Sequence, residues 1–273
     1  MKQHTRNKFM FIPVVLFCAS YASFAHSVKK EILYSTAELE ITSAGDDSKN
    51  TCTVAHSTCT ATAFAKNGKK YQYFTAAHCE SRYDKKLSKT VFKESVLQLN
   101  LEKPNGDKLS YKAKGVKTGE MSDFEDFAVL EIESDEDIPI LALSKFNPEL
   151  GEDVLVVTDP SDIDLGFLKL RGYVSRTKID NVIIKIDDAS KIEVVAKIKA
   201  DSKFLFYMDI TDGFGIQVMG LGKGLGTSGG GVFSVKRNAI VGIVSATDFN
   251  DYGHVTLLIC PISKFNNFLK KGE

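Results

Sequence analysis

The sequence predicts an all-β chain, folded as a sandwich or a pair of barrels, and three observations predict it. Short apolar runs recur with turn residues between them from Cys59 to Ser245. Leu97, Leu99 and Leu101 alternate with polar residues, which puts every second side chain on one face of a half-buried strand. Helical spacing is confined to the end, where Ile262, Phe265, Phe268 and Leu269 share one face.

In chain order, Lys2, Arg6 and Lys8 precede an apolar run from Phe9 to Tyr21, and Ala22-Ser23-Phe24-Ala25 offers small residues for cleavage. This reads as a signal peptide over residues 1–25, because the run is shorter than the ~20 residues needed to span a bilayer. Phe17 stands where a lipoprotein signal at Cys18 would need a small residue. The chain is therefore expected to be secreted or periplasmic, with no membrane attachment after signal removal. Export takes away three basic residues and no acidic one, so a balanced chain of 35 basic and 35 acidic residues turns slightly acidic. That gives nucleic-acid binding no support.

Residues 26–50 are polar, with a loop signal at Ser43-Ala44-Gly45-Asp46-Asp47-Ser48, and read as a loosely packed lead-in. Thr60–Ala65 and Tyr71–Thr75 flank Asn67-Gly68 as a hairpin. The Leu97–Leu101 strand is turned back by Asn105-Gly106. Asp126 stands at the mouth of the apolar run Phe127–Ile132. The acidic stretch Glu133–Asp137 and Pro139 mark a crossing, so residues 51–140 form a first half and 141–273 a second. Strands of the second half are expected at Val154–Thr158, Phe167–Ser175, Val182–Ile186, Ile192–Ile198, Phe204–Ile210, Gly231–Val235 and Ile240–Ser245.

Cys52, Cys59, Cys79 and Cys260 are an even set in an exported chain, which favours disulfides. Cys52, His56, Cys59 and Cys79 also resemble a scattered zinc set, but their spacing is irregular and the compartment oxidising. No metal and no cofactor is implied.

The chemistry concentrates in Gly224-Leu225-Gly226-Thr227-Ser228-Gly229-Gly230-Gly231. Glycines on both sides of one serine allow a sharp turn that presents a hydroxyl and backbone N–H groups toward one point. A phosphate-binding loop would need Gly-Lys-Ser/Thr opening a helix, whereas Lys223 is followed by Gly224 and then by strand residues. A serine needs a base to take its proton and a third group to orient that base. A histidine, an aspartate and this glycine-framed serine occur along the chain in the order His, Asp, Ser.

At Thr75-Ala76-Ala77-His78-Cys79, Asp126-Phe127-Ala128-Val129-Leu130 and Gly226-Thr227-Ser228-Gly229-Gly230, in that order, the chain resembles the trypsin-like (chymotrypsin-fold) serine peptidases. Gly242-Ile243-Val244-Ser245 and the terminal helix extend the likeness over residues 50–270. The resemblance implies two packed antiparallel β-barrels with a short C-terminal helix and an active site in the cleft between them. It implies His78 as general base, Asp126 as the residue orienting it, and Ser228 as nucleophile. The N–H groups of Gly226 and Ser228 would form the oxyanion hole. Ser245 resembles the position that supports the aspartate, and the edge Ser245-Ala246-Thr247 resembles the strand on which substrate backbone pairs. Cys59 and Cys79 match the family's bridge beside the histidine, which leaves Cys52 with Cys260.

The family's specificity pocket falls at Gly222, Lys223 and Thr247. Gly222 offers no carboxylate for a Lys or Arg side chain, and Thr247 narrows the entrance toward small or medium side chains. Lys223 could instead recruit an acidic one. The departure at Thr227, where digestive members carry aspartate, removes the zymogen-type ion pair, so activity without internal cleavage is expected. The resemblance thus implies an exported serine endopeptidase acting on protein or peptide substrates. Two other functions compete. A binder or chaperone on the same fold would usually lose a member of the triad. An ester hydrolase with a Gly-x-Ser-x-Gly elbow would place its acid and histidine after the serine, where only His254 stands.

Overall fold

The computed structural model describes residues 31–46, 52–80, 91–119, 125–158, 168–176, 182–187, 193–198, 206–212, 228–249 and 255–271. The strands are β1 (Thr36–Asp46), β2 (Cys52–Asn67), β3 (Lys70–Thr75), β4 (Val91–Glu102), β5 (Lys108–Thr118) and β6 (Ala128–Glu133), then β7 (Asp153–Thr158), β8 (Leu168–Arg176), β9 (Val182–Asp187) and β10 (Glu193–Ile198), and finally β11 (Phe206–Asp212), β12 (Gly231–Ser234), β13 (Ala239–Phe249) and β14 (Val255–Pro261). A short α1 (Ala77–Glu80) follows β3, and α2 (Ile262–Lys270) follows β14. One barrel closes in the order β1-β2-β3-β6-β5-β4 and the other in the order β11-β14-β13-β12-β7-β8, while β9 and β10 form a separate two-stranded ribbon. Closure gives every barrel strand a neighbour on both sides over part of its length.

Alternation along each strand explains the packing. In β3, Tyr71 and Tyr73 point into the first barrel with Leu39, Leu99, Leu130 and Ile132, while Phe74 points out into the seam between barrels. In β12 and β14, Val232, Leu257 and Ile259 fill the second barrel, while Phe233, Leu258 and Cys260 face the seam. Val232 and Phe233 of β12 and Leu257–Cys260 of β14 are thus buried on both faces, so these stretches read as unbroken apolar runs rather than as alternating ones.

The amphipathic face of α2 completes the seam with Ile262, Phe265 and Phe268. Phe265 meets Phe64 and Phe127 edge-on, with ring centroids 5.4 Å apart in each pair. Lys117 of β5 donates to the carbonyl of Phe268 at 2.5 Å and to that of Leu269 at 3.3 Å. A cation there satisfies the orphan acceptors at the helix C-terminus and ties the first barrel to the helix. In the second barrel, Glu152 is buried and receives both a bidentate Arg237, at 2.7 and 2.8 Å, and the hydroxyl of Ser234, at 2.5 Å.

Turn chemistry sets the hairpins. β2 and β3 pair through Asn67↔Lys70, so Gly68 (φ 60) and Lys69 are the loop, one residue beyond the expected Asn67-Gly68. Gly106 (φ 90) closes the β4–β5 turn, with Asn105 Oδ1 accepting from the N–H of Asp107 at 3.1 Å.

Three expectations are corrected. Residues 26–50 are not all a loose lead-in: β1 occupies Thr36–Asp46 and pairs with both β2 and β4, closing the first barrel. Ala37, Leu39 and Ile41 point inward between Glu38 and Glu40, a period-2 pattern strong enough to pay for ordering that segment. β14 adds a strand over Val255–Pro261 that the turn signals did not announce. Cys260 is a buried thiol in that strand rather than half of a bridge with Cys52, whose side chain lies outside the described residues.

Candidate functional site

Register brings the histidine to the aspartate. β3 and β6 are antiparallel neighbours with Thr75 opposite Ala128. The chain leaving β3 therefore emerges at the same rim where the chain enters β6, and α1 turns His78 back over Asp126. The backbone N–H of His78 donates to Asp126 Oδ1 at 3.1 Å, and its Nδ1 lies 3.0 Å from both Oδ1 and Oδ2. An ionised carboxylate only accepts, so the ring proton sits on Nδ1 and Nε2 keeps its lone pair when the ring is neutral. Phe127 donates back to the carbonyl of Glu125 at 2.8 Å, a tight turn centred on Asp126.

The His78 side chain is 25% exposed and that of Asp126 5%. Burial pulls the His78 pKa down, but the Asp126 charge and hydrogen bond outweigh it and hold the imidazole above its ordinary 6.5. Burial alone would raise Asp126; the His78 charge and the hydrogen bonds from His78 and Ser245 bring it below the usual carboxylate range.

Ser245 reaches Asp126 through a bulge. The β13–β14 register steps between Val244 and Ala246, leaving Ser245 without a partner in that ladder. Such an extra residue re-aims its side chain, and Ser245 Oγ donates to Asp126 Oδ2 at 2.5 Å.

Ser228 is delivered by the second barrel. The N–H of Gly229 donates to the carbonyl of Val244 and the N–H of Val244 to that of Gly230, at 2.8 and 2.9 Å, extending the β12–β13 ladder to the residue beside the serine. Across the seam, the N–H of Thr60 donates to the carbonyl of Ser228 at 2.8 Å. Gly229 has φ +84, and a Cβ there would lie 2.2 Å from both the Thr60 carbonyl oxygen and Thr75 Oγ1. Only glycine fits this crossing. The Cys59–Cys79 disulfide, as the resemblance implied, ties β2 to the helix carrying His78. Ser228 Oγ donates to the carbonyl of Ser245 at 3.4 Å, and among the described residues no hydrogen bond joins it to His78.

The remaining expected residues divide. Gly222, Lys223, Gly226 and Thr227 lie outside the described residues. Thr247 pairs with Leu257 of β14 through its backbone, and its side chain is outside the described residues. β12 covers β13 only along Ala239–Ile243, so among the described residues the other edge of Ser245-Ala246-Thr247 has no strand beside it. Metal chemistry does not fit: Cys59, His78 and Cys79 bring ligand atoms within 4.8 Å of one another, but the sulfurs are bonded together and the His78 Nδ1 is engaged by Asp126. Sequence reasoning missed Thr75 and Thr60, which line the underside of the serine turn, with Thr75 Oγ1 donating to the Thr60 carbonyl at 2.8 Å. Buried strand threonines carry no local signal that singles them out.

No family model and no curated protein matches the sequence. Among solved structures the fold is similar to that of Deg5, at 15% identity and a TM-score of 0.56 over 90% of this chain and 92% of that one. It is also similar to the MamO protease domain from Magnetospirillum magneticum in its apo form, at 13% identity and a TM-score of 0.55 over 89% of this chain and 100% of that one. Paired barrels with a C-terminal helix across their seam, and these likenesses, give the chain the chymotrypsin-like protease fold.

Proposed function

We propose that the chain is an exported serine endopeptidase, with His78 as general base, Asp126 as its orienting partner and Ser228 as nucleophile. The observation that carries this reading is the 3.0 Å contact of His78 Nδ1 with a buried carboxylate, at the rim where the second barrel delivers a glycine-framed serine. His78 Nε2 takes the Ser228 hydroxyl proton as Oγ bonds to the scissile carbonyl carbon, and the resulting oxyanion is met by the N–H groups of Ser228 and Gly226. The imidazolium then gives its proton to the leaving amine nitrogen, the C–N bond breaks and an acyl-enzyme remains. Water repeats the sequence, its proton passing to His78, and releases the acid with Ser228 restored.

Substrate backbone is expected to add to the open edge of Ser245-Ala246-Thr247 as a strand. Gly222, Lys223 and Thr247 are the proposed specificity residues, with no preference for Lys or Arg before the cut bond. The leader over residues 1–25 lies outside the described residues. The Cys59–Cys79 disulfide supports an oxidising compartment, and no helix among the described residues is long and apolar enough to cross a membrane.

The second reading is a non-catalytic binder on the same fold, and the hydrogen bond of Ser228 Oγ to the Ser245 carbonyl favours it. A serine-directed fluorophosphonate separates the two: the peptidase reading expects one modified residue, mapped to Ser228, and loss of labelling in His78→Ala. An unlabelled chain favours the binder.

A further inference from the structure

His78 and Asp126 stand at the rim of the first barrel, whereas Ser228 comes from the second, so the serine meets the base only if the two barrels hold one register beside it. Ser245 joins the second barrel to Asp126. The serine turn itself is joined to the first barrel through β2. Phe74, Ile240 and Ile243 make the seam there largely apolar. Apolar contact has no direction, so the register falls to hydrogen bonds.

Among the described residues, two backbone groups of the serine turn are bonded from β2. The Thr60 N–H donates to the Ser228 carbonyl at 2.8 Å, and Thr75 Oγ1 braces Thr60 by donating to its carbonyl, also at 2.8 Å. Three residues beyond Ser228, the N–H of Gly231 donates to Thr62 Oγ1 at 3.3 Å. β12 pairs with β7 only from Val232 onward, and the donor that Thr62 meets lies just ahead of that pairing. Thr60 and Thr62 alternate with Ala61 and Ala63, which face the core of the first barrel, so both threonines face the seam.

Thr62 is 1% exposed. A Cβ on Gly231 would lie 3.2 Å from its hydroxyl oxygen and 3.0 Å from both Phe74 and Ile240. Valine would fill the same space among these neighbours, so packing alone does not call for a hydroxyl. The buried N–H of Gly231 does, because leaving it unpaired is costly.

We propose that Thr62 is a positioning residue, whose hydroxyl holds Gly231 across the seam and so keeps Ser228 in register with His78. The inference rests on the peptidase reading above for its effect on turnover, but not for the bond itself. Anchors at Ser228 and Gly231 resist rotation of the turn as well as translation. Without the second, the turn is left hinged on Thr60.

Substitution separates this role from simple packing. Thr62→Val keeps the shape and removes the acceptor, while Thr62→Ser keeps the acceptor and loses a methyl. Substrate is expected to pair with β13, which belongs to the same barrel as Ser228, so a shift of the turn against His78 should lower kcat and spare KM. Thr62→Val should lose about tenfold in kcat, the scale of one buried hydrogen bond, and label with fluorophosphonate correspondingly more slowly. Thr62→Ser should stay within about threefold of the wild type. Wild-type kcat in folded Thr62→Val, or an equal loss in Thr62→Ser, overturns the proposal. Amide hydrogen exchange tests the bond without turnover: the Gly231 N–H should be protected in the wild type and in Thr62→Ser, and exchange about tenfold faster in Thr62→Val. Equal protection in all three ends the proposal. The expected exchange pattern, in a chain whose turnover survives Ser228→Ala, ends the peptidase reading and leaves the bond standing.

Discussion

His78 Nδ1 lies 3.0 Å from both carboxylate oxygens of Asp126 because Thr75 and Ala128, the last and first residues of neighbouring strands, stand opposite each other. The Coulomb attraction across that contact overrides the burial penalty on the imidazolium. Asp126→Asn removes the charge and leaves burial unopposed. The His78 pKa, read from its ring protons by NMR, should lie above 6.5 in the wild type and fall in Asp126→Asn. Equal values in the two proteins would contradict the assignment.

On the proposed peptidase reading, the same raised pKa sets the acid limb of activity. The base works only when neutral, so kcat/KM should fall as the pH drops through the His78 pKa, with a midpoint above the ~6.5 of a free histidine. A rate that holds flat to pH 4 would show that histidine is not the base.

Gly229 is required by the crossing of the two barrels. With φ +84 and a Cβ position 2.2 Å from Thr60 and Thr75, Gly229→Ala adds backbone strain to a steric overlap. The variant should lose at least about 2 kcal/mol in denaturant unfolding. An unchanged midpoint would mean that the turn around Ser228 is not packed against β2 as described.

Glu152 is held at about 2 because the hydrogen bonds from Arg237 and Ser234 outweigh the burial that opposes them. A depressed carboxylate contributes stability that is present above its unfolded value of ~4.3 and is lost as the pH falls through about 2. Arg237→Ala removes the counter-charge and leaves the buried carboxylate held only by Ser234 and the backbone N–H of Glu149, and should cost about 3 kcal/mol of stability at neutral pH. A loss under 1 kcal/mol would show that solvent replaces the guanidinium.

Much of this architecture was legible because its signals are local. Asn105-Gly106, the Leu97–Leu101 alternation and the spacing of Ile262, Phe265 and Phe268 each fix an element within a few residues. The sequence words around His78, Asp126 and Ser228 placed those residues at strand ends, and Ser245 was found beside the aspartate. What escaped depends on pairing between distant segments. β1 closes a barrel only because β4 returns to it, and β14 is a continuous apolar run because Leu257 and Ile259 serve one core while Leu258 and Cys260 serve another. No periodicity within the strand can show that division. The buried thiol of Cys260 was hidden for the same reason, since the even cysteine count spoke for a bridge.

The central claim is that Ser228 is the nucleophile, and it is tested most directly by the turnover of a protein substrate by purified wild type and Ser228→Ala. The substitution removes one hydroxyl from a turn whose backbone bonds are made by Thr60 and Val244. The melting temperature should therefore stay unchanged while kcat falls on the order of 10³-fold or more. Turnover that survives in folded Ser228→Ala would contradict the account.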